Sequence, residues 1–434
     1  ALMKLYKIYY RFIGLVIAVI GLVLLPFIPK LIHSDLPSGM NIYILYLLNL
    51  AATVLSYWLF AYKNSLLQAH QRNDITSKVT LCTNTIQYAL QLIVIIFIKN
   101  YYLFVIVALF TQALTNIVTA IVVTKLYPGY NPKGDLDKSL IKDINQRIKD
   151  LFTSKLGGVI VSSVDTIVIS AFLGLTVLAV YQNYYFILTS VIGFVTIVFN
   201  ACTAGIGNSI ILETKEKNFN DLNKFTFIIS WIAGFCTTCF LCLFQPFMDV
   251  WVKKESLKLD FSAVIYFCIY YFVFEINQVL CTYKDSAGIW HEDKFRPLVT
   301  AICNLIMNLI MVQFWGIYGV LLSTVLATLF IGMPWLLHNL FTILFERKYL
   351  RKYLNKLLYY VIIVLIGCVL TYTTCIYLPF KSKWIVLIAR AIICCIIPNV
   401  LYFIVYNKKQ EFKESMQLFN KMTKGKIPLL KKFC

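Results

Sequence analysis

Charge is scarce in this chain. Of its 434 residues only 14% are charged and 60% are hydrophobic, whereas a soluble domain carries about 25% charged residues. Acid is scarcer still, with 20 Asp and Glu against 40 Lys and Arg, a formal net charge of +20. No carboxylate cluster has metal-holding spacing, and no metal is expected. Histidine numbers four. His70 and His291 lack a ligand partner at helical spacing, and His291-Glu292 lacks the second His of H-E-x-x-H; both read as solvated loop residues. The signatures of catalysis are missing too. Gly205-x-Gly207 lacks a third Gly and follows no strand, and there is neither a P-loop nor a G-x-S-x-G elbow. No polar segment is long enough to fold an ATPase domain. An enzyme is therefore not expected, and any energy must come from an ion gradient, the substrate gradient or later consumption of product.

Long apolar runs are what the chain has instead. Phe12–Ile28, Leu156–Val164 and Val361–Pro379 contain no charge. A run of about 20 apolar residues matches the roughly 30 Å hydrocarbon core of a bilayer. Backbone groups in lipid must pair internally, so spanning segments are helices or closed barrels, and nothing here alternates as barrel strands do. The fold class is all-α integral membrane. Twelve spans are predicted: 11–33, 41–62, 79–98, 102–124, 151–173, 182–212, 222–245, 258–281, 297–314, 316–341, 356–378 and 384–406.

Lys and Arg placement orients these spans, because positive loops stay cytoplasmic. The face holding residue 1 carries 32 of the 40 basic residues, the opposite face 7, and Arg390 lies within the last span. Both chain ends are expected in the cytoplasm. The same distribution accounts for the net charge without nucleic acid: it is spread over short loops and a Lys-rich tail, where each basic residue gains about 1 kcal/mol against anionic lipid. The first residue is Ala1, no cleavable leader is visible, and the chain is expected to be a fragment that has lost its natural start. Most of the thirteen cysteines lie inside apolar runs, and Cys236-x-x-Cys239 reads as small packing residues in a helix.

Two segments repeat. Lys63-Asn64-Ser65 and His70 precede Val79-Thr80-Leu81-Cys82-Thr83-Asn84; Lys284-Asp285-Ser286 and His291 precede Val299-Thr300-Ala301-Ile302-Cys303-Asn304. Both copies face the cytoplasm, a parallel repeat of the kind from which transporters build a substrate path. Polar residues inside the membrane mark that path. A charge at mid-bilayer costs at least about 2.5 kcal/mol, and Asp165, Glu275 and Arg390 qualify. Lys155, Gly158, Ser162 and Asp165 share one helical face, as do Thr189, Gly193, Thr196, Asn200, Thr203 and Gly207. Thr80, Asn84, Gln87 and Gln91 form a third stripe, and Thr300, Asn304 and Asn308 a fourth. Each stripe alone would serve helix packing; four together point to a shared hydrated cavity. For Arg390 the competing reading is snorkelling to the outer surface. For Glu275 it is pairing with Tyr271 or Gln278.

Ala1-Leu2-Met3-Lys4-Leu5-Tyr6-Lys7 with Tyr10-Arg11-Phe12-Ile13-Gly14 resembles the entry to the third helix of bacterial polysaccharide-repeat-unit flippases. Asp165-Thr166-Ile167-Val168-Ile169-Ser170, Leu173-Gly174 and Tyr181-Gln182-Asn183-Tyr184 are similar to that family's seventh and eighth helices. These are polysaccharide transporters of the multidrug/oligosaccharidyl-lipid/polysaccharide exporter superfamily. The resemblance implies fourteen helices in two six-helix lobes plus a C-terminal pair, with the twelve spans as helices three to fourteen. It divides the chain into a partial N-terminal lobe (1–124), a linker (125–150), a C-terminal lobe (151–341), the extra pair (342–406) and a basic tail (407–434). It puts the two V-T-x-x-x-N segments in equivalent helices, five and eleven.

The implied activity is translocation of an undecaprenyl-pyrophosphate-linked oligosaccharide from the cytoplasmic to the outer leaflet of the bacterial plasma membrane, by alternating access. Membrane lipids and other polysaccharide assembly proteins are the expected partners. No cofactor is expected beyond an H+ or Na+ gradient. The expected path residues are Asp165, Glu275, Arg390, Lys155, Ser162, Asn183, Asn200, Asn84 and Asn304, with Arg11, Lys63 and Lys284, beside Lys155, at cytoplasmic span ends to meet the pyrophosphate. A drug or cation exporter of the same superfamily would want an acidic, aromatic cavity. A membrane-embedded polymerase or ligase would want a large outer loop bearing Arg or His, and the loop at 246–257 is short and has neither.

Overall fold

The structure, a computed structural model, describes residues 1–31, 40–70, 72–130, 132–252, 254–380 and 382–422. Among them every regular element is helical. The chain divides into two compact units, Ala1–Gln146 and Arg147–Cys434.

The first unit contains α1 (Leu2–Leu24), α2 (Ile28–Leu31), α3 (Ile42–Trp58), α4 (Asn64–Ala69), α5 (Asn73–Ile93) and α6 (Tyr101–Leu126). Its spans start where a side chain replaces the missing helical acceptor. The Asn41 carboxamide oxygen accepts from the Tyr43 N–H at 2.9 Å, and that of Asn100 accepts from Leu103 N–H at 3.2 Å. The Trp58 indole N–H donates to the Arg11 carbonyl at 3.1 Å, pinning α3 to α1. Gln91 of the third stripe, with Thr83 beside that stripe, joins α5 to α6: Thr115 donates to Thr83 at 2.8 Å and the Gln91 amide to the Phe104 carbonyl at 3.2 Å.

The second unit contains most of α7 (Lys138–Phe172), then α8 (Leu175–Leu212), α9 (Lys215–Trp251), α10 (Phe261–Ser286), α11 (Arg296–Ala327), α12 (Met333–Asn339), α13 (Leu350–Ile376), α14 (Lys383–Tyr406) and α15 (Gln410–Met422). α7 is helical through the second half of the segment expected to be a linker. α9 is the hub: it packs against α8, α10, α13, α14 and α15. Its Phe240 and Phe244 interlock with Phe267 and Tyr271 of α10 and Tyr184 of α8. Where α9, α13 and α14 close together, the buried thiols of Cys242, Cys375 and Cys394 lie within 4.8 Å of one another. Small, polarizable side chains suit so tight a junction.

Among the described residues, nine helices are long and apolar enough to cross a membrane, or ten if α3 and the segment Ala61–Ala69, bent by 46°, form one span. One of the nine, Arg296–Leu344, is 49 residues long, about 74 Å at 1.5 Å per residue and far more than one bilayer. It folds back at Gly316, whose φ of +53° and ψ of −131° interrupt the helix. Few residues but glycine adopt that backbone. A Cβ on Gly319 would lie 2.3 Å from the Met311 carbonyl oxygen, so a side chain there would hold the arms apart. The predicted boundary between 297–314 and 316–341 thus falls on a real turn. The predicted span at 151–173 corresponds to a shorter apolar stretch, Leu156–Phe172, at the lower end of the lengths that cross a bilayer. Twelve is therefore not an exact count of spanning helices.

A buried carboxylate network beside a cavity in the second unit

Asp165 sits on α7 with 7% of its surface exposed. Residues of both arms of α11 converge on it. The Asn308 amide donates to Asp165 Oδ1 at 2.8 Å, and the Thr324 hydroxyl lies 3.1 Å from both carboxylate oxygens. Behind them, the Asn304 amide donates to Thr324 Oγ1 at 2.9 Å and Ser323 Oγ donates to Asn308 Oδ1 at 2.7 Å. Asn304, Asn308 and Ser323 are fully buried. The turn at Gly316 is what makes this possible, because it sets 304 and 308 beside 323 and 324.

Among the described residues no cation reaches this carboxylate; its hydrogen-bond partners there are an amide and a hydroxyl. A buried charge without a countercharge is too costly to persist, so such a group takes up a proton or holds a small cation. Carboxylate, hydroxyl and carboxamide oxygens are hard donors, suited to H+ or an alkali cation rather than to a soft metal.

Thr324 also lines a cavity of about 580 Å³ that belongs wholly to the second unit. Gly158 of α7, Thr189 of α8 and Asn277 of α10 line it, and so do Lys284 and Arg296. On α11 the residues Arg296, Thr300, Asn304 and Asn308 recur every fourth position, one face leading over about 18 Å from the helix start to Asp165. At the start, Asp293 accepts two bonds from Arg296, at 2.7 and 2.8 Å, and one from the Asn339 amide at 3.1 Å. Lys284 pairs with Asp285, approaches Asp293 at 3.7 Å and lies 4.2 Å from the Trp290 ring centre.

Of the residues expected on the path, the structure brings Asp165 and Asn304 together. Lys284, expected at a cytoplasmic span end, lies on the same cavity, buried and paired with Asp285. The side chains of Lys155 and Ser162 lie outside the described residues. Asn183 is half-buried and Asn200 exposed, and neither bonds Asp165. The threonines of the Asn200 stripe turn their hydroxyls back: Thr189, Thr196 and Thr203 each donate to the carbonyl four residues earlier. Asn84 is half-buried on α5 in the first unit. Arg11 is exposed, and Lys63 donates to Thr124. Arg390 donates to the Cys242 carbonyl at 3.2 Å, between α14 and α9, with its Nε unpartnered. Glu275 is 1% exposed, and among the described residues its Oε1 lacks a hydrogen-bond partner, as does the OH of Tyr271, one of its two expected mates.

Sequence reasoning missed Thr324, Ser323, Asp293 and Arg296. The first two could have been found only by knowing that the chain reverses at Gly316. The Asp293–Arg296 pair was visible as an acid and a base three residues apart at a helix start.

A family described as "Polysaccharide biosynthesis protein" matches residues 2–203. The match covers α1 to α6, α7 with Asp165, and most of α8. No curated protein matches the chain. Among solved structures, the lipid II flippase MurJ in an inward closed conformation superposes with a TM-score of 0.65 at 16% identity, over 93% of this chain and 84% of MurJ. A Vibrio cholerae MATE transporter gives 0.55 at 14% identity, covering 79% of this chain and 77% of its own. A transporter from Pyrococcus furiosus assigned to the MOP superfamily gives 0.52 at 14% identity, covering 80% and 78%. At these identities the likeness is one of fold. The chain has the fold of MurJ- and MATE-type transporters.

Proposed function

We propose that the protein moves an undecaprenyl-pyrophosphate-linked oligosaccharide from the cytoplasmic to the outer leaflet of a bacterial plasma membrane, for surface polysaccharide assembly. In this reading both chain ends are cytoplasmic. The observation that carries it is the cavity of about 580 Å³, lined by the Arg296–Lys284 cluster and by Thr324, in a chain whose residues 2–203 match a polysaccharide biosynthesis family. The cations of the cluster draw the pyrophosphate to the cytoplasmic mouth. Rearrangement of their pairs with Asp293 and Asp285 exchanges carboxylate for phosphate, both of which a guanidinium binds through two parallel bonds. Hydroxyls and amides along the cavity give the sugar hydrogen-bonding partners, while bulk lipid holds the polyprenyl tail.

Asp165 couples this movement to an H+ or Na+ gradient. Neutralised, it sits in the closed network; ionised, it favours a state in which water reaches it. The ion acts by its different affinity for the two states. A flippase built this way needs no ATPase domain.

The test is complementation of a strain lacking its polysaccharide flippase, with radiolabelled lipid-linked sugar followed between leaflets. Wild type is expected to restore outer-leaflet sugar, and Asp165→Asn is not. Equal restoration by both would reduce Asp165 to packing. No restoration by inserted wild type across several repeat units would favour a drug exporter instead.

A further inference from the structure

A second cavity of the second unit, about 540 Å³, lies away from Asp165. It occupies the place where α13 enters its apolar run and α14 leaves its own. Five cations line it: Lys348, Arg351, Lys352, Lys356 and Lys409. Against them stands one acid, Glu411, which is paired with Lys356. Lys348 is paired with Glu346 outside the cavity. Arg351, Lys352 and Lys409 have no carboxylate partner among the described residues. Lys352 and Lys409 are held over aromatic faces, 6.0 Å from the Phe219 ring centre and 5.1 Å from that of Tyr359. Such contacts fix a cation without using up its N–H donors. Buried Tyr360 and Tyr406 form the inner wall. Like charges gathered in one concavity repel unless an anion joins them.

Depth says which anion. From Lys348 to Tyr360 the chain climbs about 18 Å, from a polar turn into the first turns of an uncharged run, with tyrosines at the level where they mark a membrane interface. Farther along α13, Leu358, Ile362, Leu365 and Val369 are exposed at spacings of four, three and four, a stripe facing hydrocarbon. α15 closes the polar side, with Phe412 and Ser415 buried. A phosphate at this height, with apolar surface directly beneath it, is the geometry of a phospholipid.

We propose that this cavity binds the phosphate headgroup of an acidic phospholipid from the leaflet at the lysine-rich end, with its acyl chains along the exposed face of α13. It lies apart from the Asp165 network and does not rest on the transport reading.

Native mass spectrometry of the full chain, purified in neutral detergent, tests this with phosphatidylglycerol and phosphatidylcholine as probes. Wild type should retain phosphatidylglycerol preferentially. The triple variant Arg351→Gln, Lys352→Gln, Lys409→Gln should hold it about a hundredfold more weakly, as three contacts worth roughly fivefold each. A control changing exposed Lys138 and Lys142 to Gln should bind like wild type. Should the triple variant fold poorly, a salt titration of wild type serves: phosphatidylglycerol is released as salt rises and phosphatidylcholine is not. Undiminished binding by a folded triple variant overturns the proposal, as does equal retention of the two lipids. Displacement by inorganic phosphate at matching concentration also overturns it, assigning the cavity to a free anion.

Discussion

The Asn308 amide donates to the Asp165 carboxylate at 2.8 Å across 143 residues of sequence. That bond and the Thr324 hydroxyl are what the described residues offer a carboxylate buried in the second unit, and neither carries charge. The first prediction follows. If Asp165 holds the coupling ion, saturating it should stabilise the folded protein by about 2.7 kcal/mol at a hundredfold excess over the dissociation constant. Thermal unfolding of wild type in detergent should rise with Na+ against a bulky organic cation if the ion is sodium, or with falling pH if it is a proton. Asp165→Asn should flatten whichever dependence appears. A wild type indifferent to both would rule out coupling at this residue.

Thr324 links two acceptors and a donor: it donates to Asp165 and accepts from Asn304. Thr324→Val keeps the shape and removes the hydroxyl, leaving the Asn304 amide unpaired in a buried site. That should cost about 1–3 kcal/mol. Ser323→Ala removes a bond to Asn308, whose Oδ1 then loses its donor, and should cost a similar amount. Because the side chains share one network, the double variant should cost less than the two added together. A double-mutant cycle in denaturant reads the difference; strict additivity would mean the network is not a unit.

Much of this was legible before any fold was known. Asp165 stood out because an acid in an apolar run needs a reason, and Asn304 because it lay in a repeated segment and in a polar stripe. The stripe Thr300–Asn304–Asn308 does face Asp165. What the sequence could not carry was the reversal at Gly316, a single residue in the left-handed region between two apolar runs. Without it, Ser323 and Thr324 look like ordinary small residues of the next span. The Asn200 stripe had the same periodicity and a different outcome, since its threonines satisfy themselves on their own helix. Periodicity identifies a face; it does not say what the face meets. Lys284 shows the converse limit: a span-end lysine reads as free until Asp285, Asp293 and Trp290 are folded around it.

The Asp293–Arg296 pair yields a third prediction. Asp293 is 1% exposed and holds Arg296 by two bonds while facing Lys284. Asp293→Asn leaves two buried cations without that counterion and should destabilise by about 3–5 kcal/mol. Arg296→Lys should also fail to substitute, because an ammonium cannot form the parallel pair of bonds. Melting temperatures of the two variants check this. A substitution of Asp293 that left stability unchanged would mean the cluster is solvated.

The hairpin itself can be probed without touching any polar group. At Gly319 a methyl group would meet the Met311 carbonyl at 2.3 Å, so Gly319→Ala must spread the arms of α11. Overpacking of this kind costs about 1–3 kcal/mol. The displacement would also pull Ser323 and Thr324 from Asn308 and Asp165, so ion-dependent stabilisation should weaken along with stability. Loss of stability with the ion response intact would show that the network tolerates movement of the hairpin.

Glu275 provides the sharpest contrast with Asp165. Both are buried acids of the second unit, yet Glu275 has an oxygen without a hydrogen-bond partner and does not line the cavity beside Thr324. A carboxyl so placed is most stable uncharged, and an amide of the same size reproduces its neutral form. Glu275→Gln should therefore keep folding stability within about 1 kcal/mol and retain most of the proposed transport activity that Asp165→Asn is expected to lose. The measurement is outer-leaflet labelled sugar in the two variants at matched membrane levels. If Glu275→Gln fell to the level of Asp165→Asn, ion coupling would have to be shared between the two acids, and α10 would have to move during transport to bring water to Glu275.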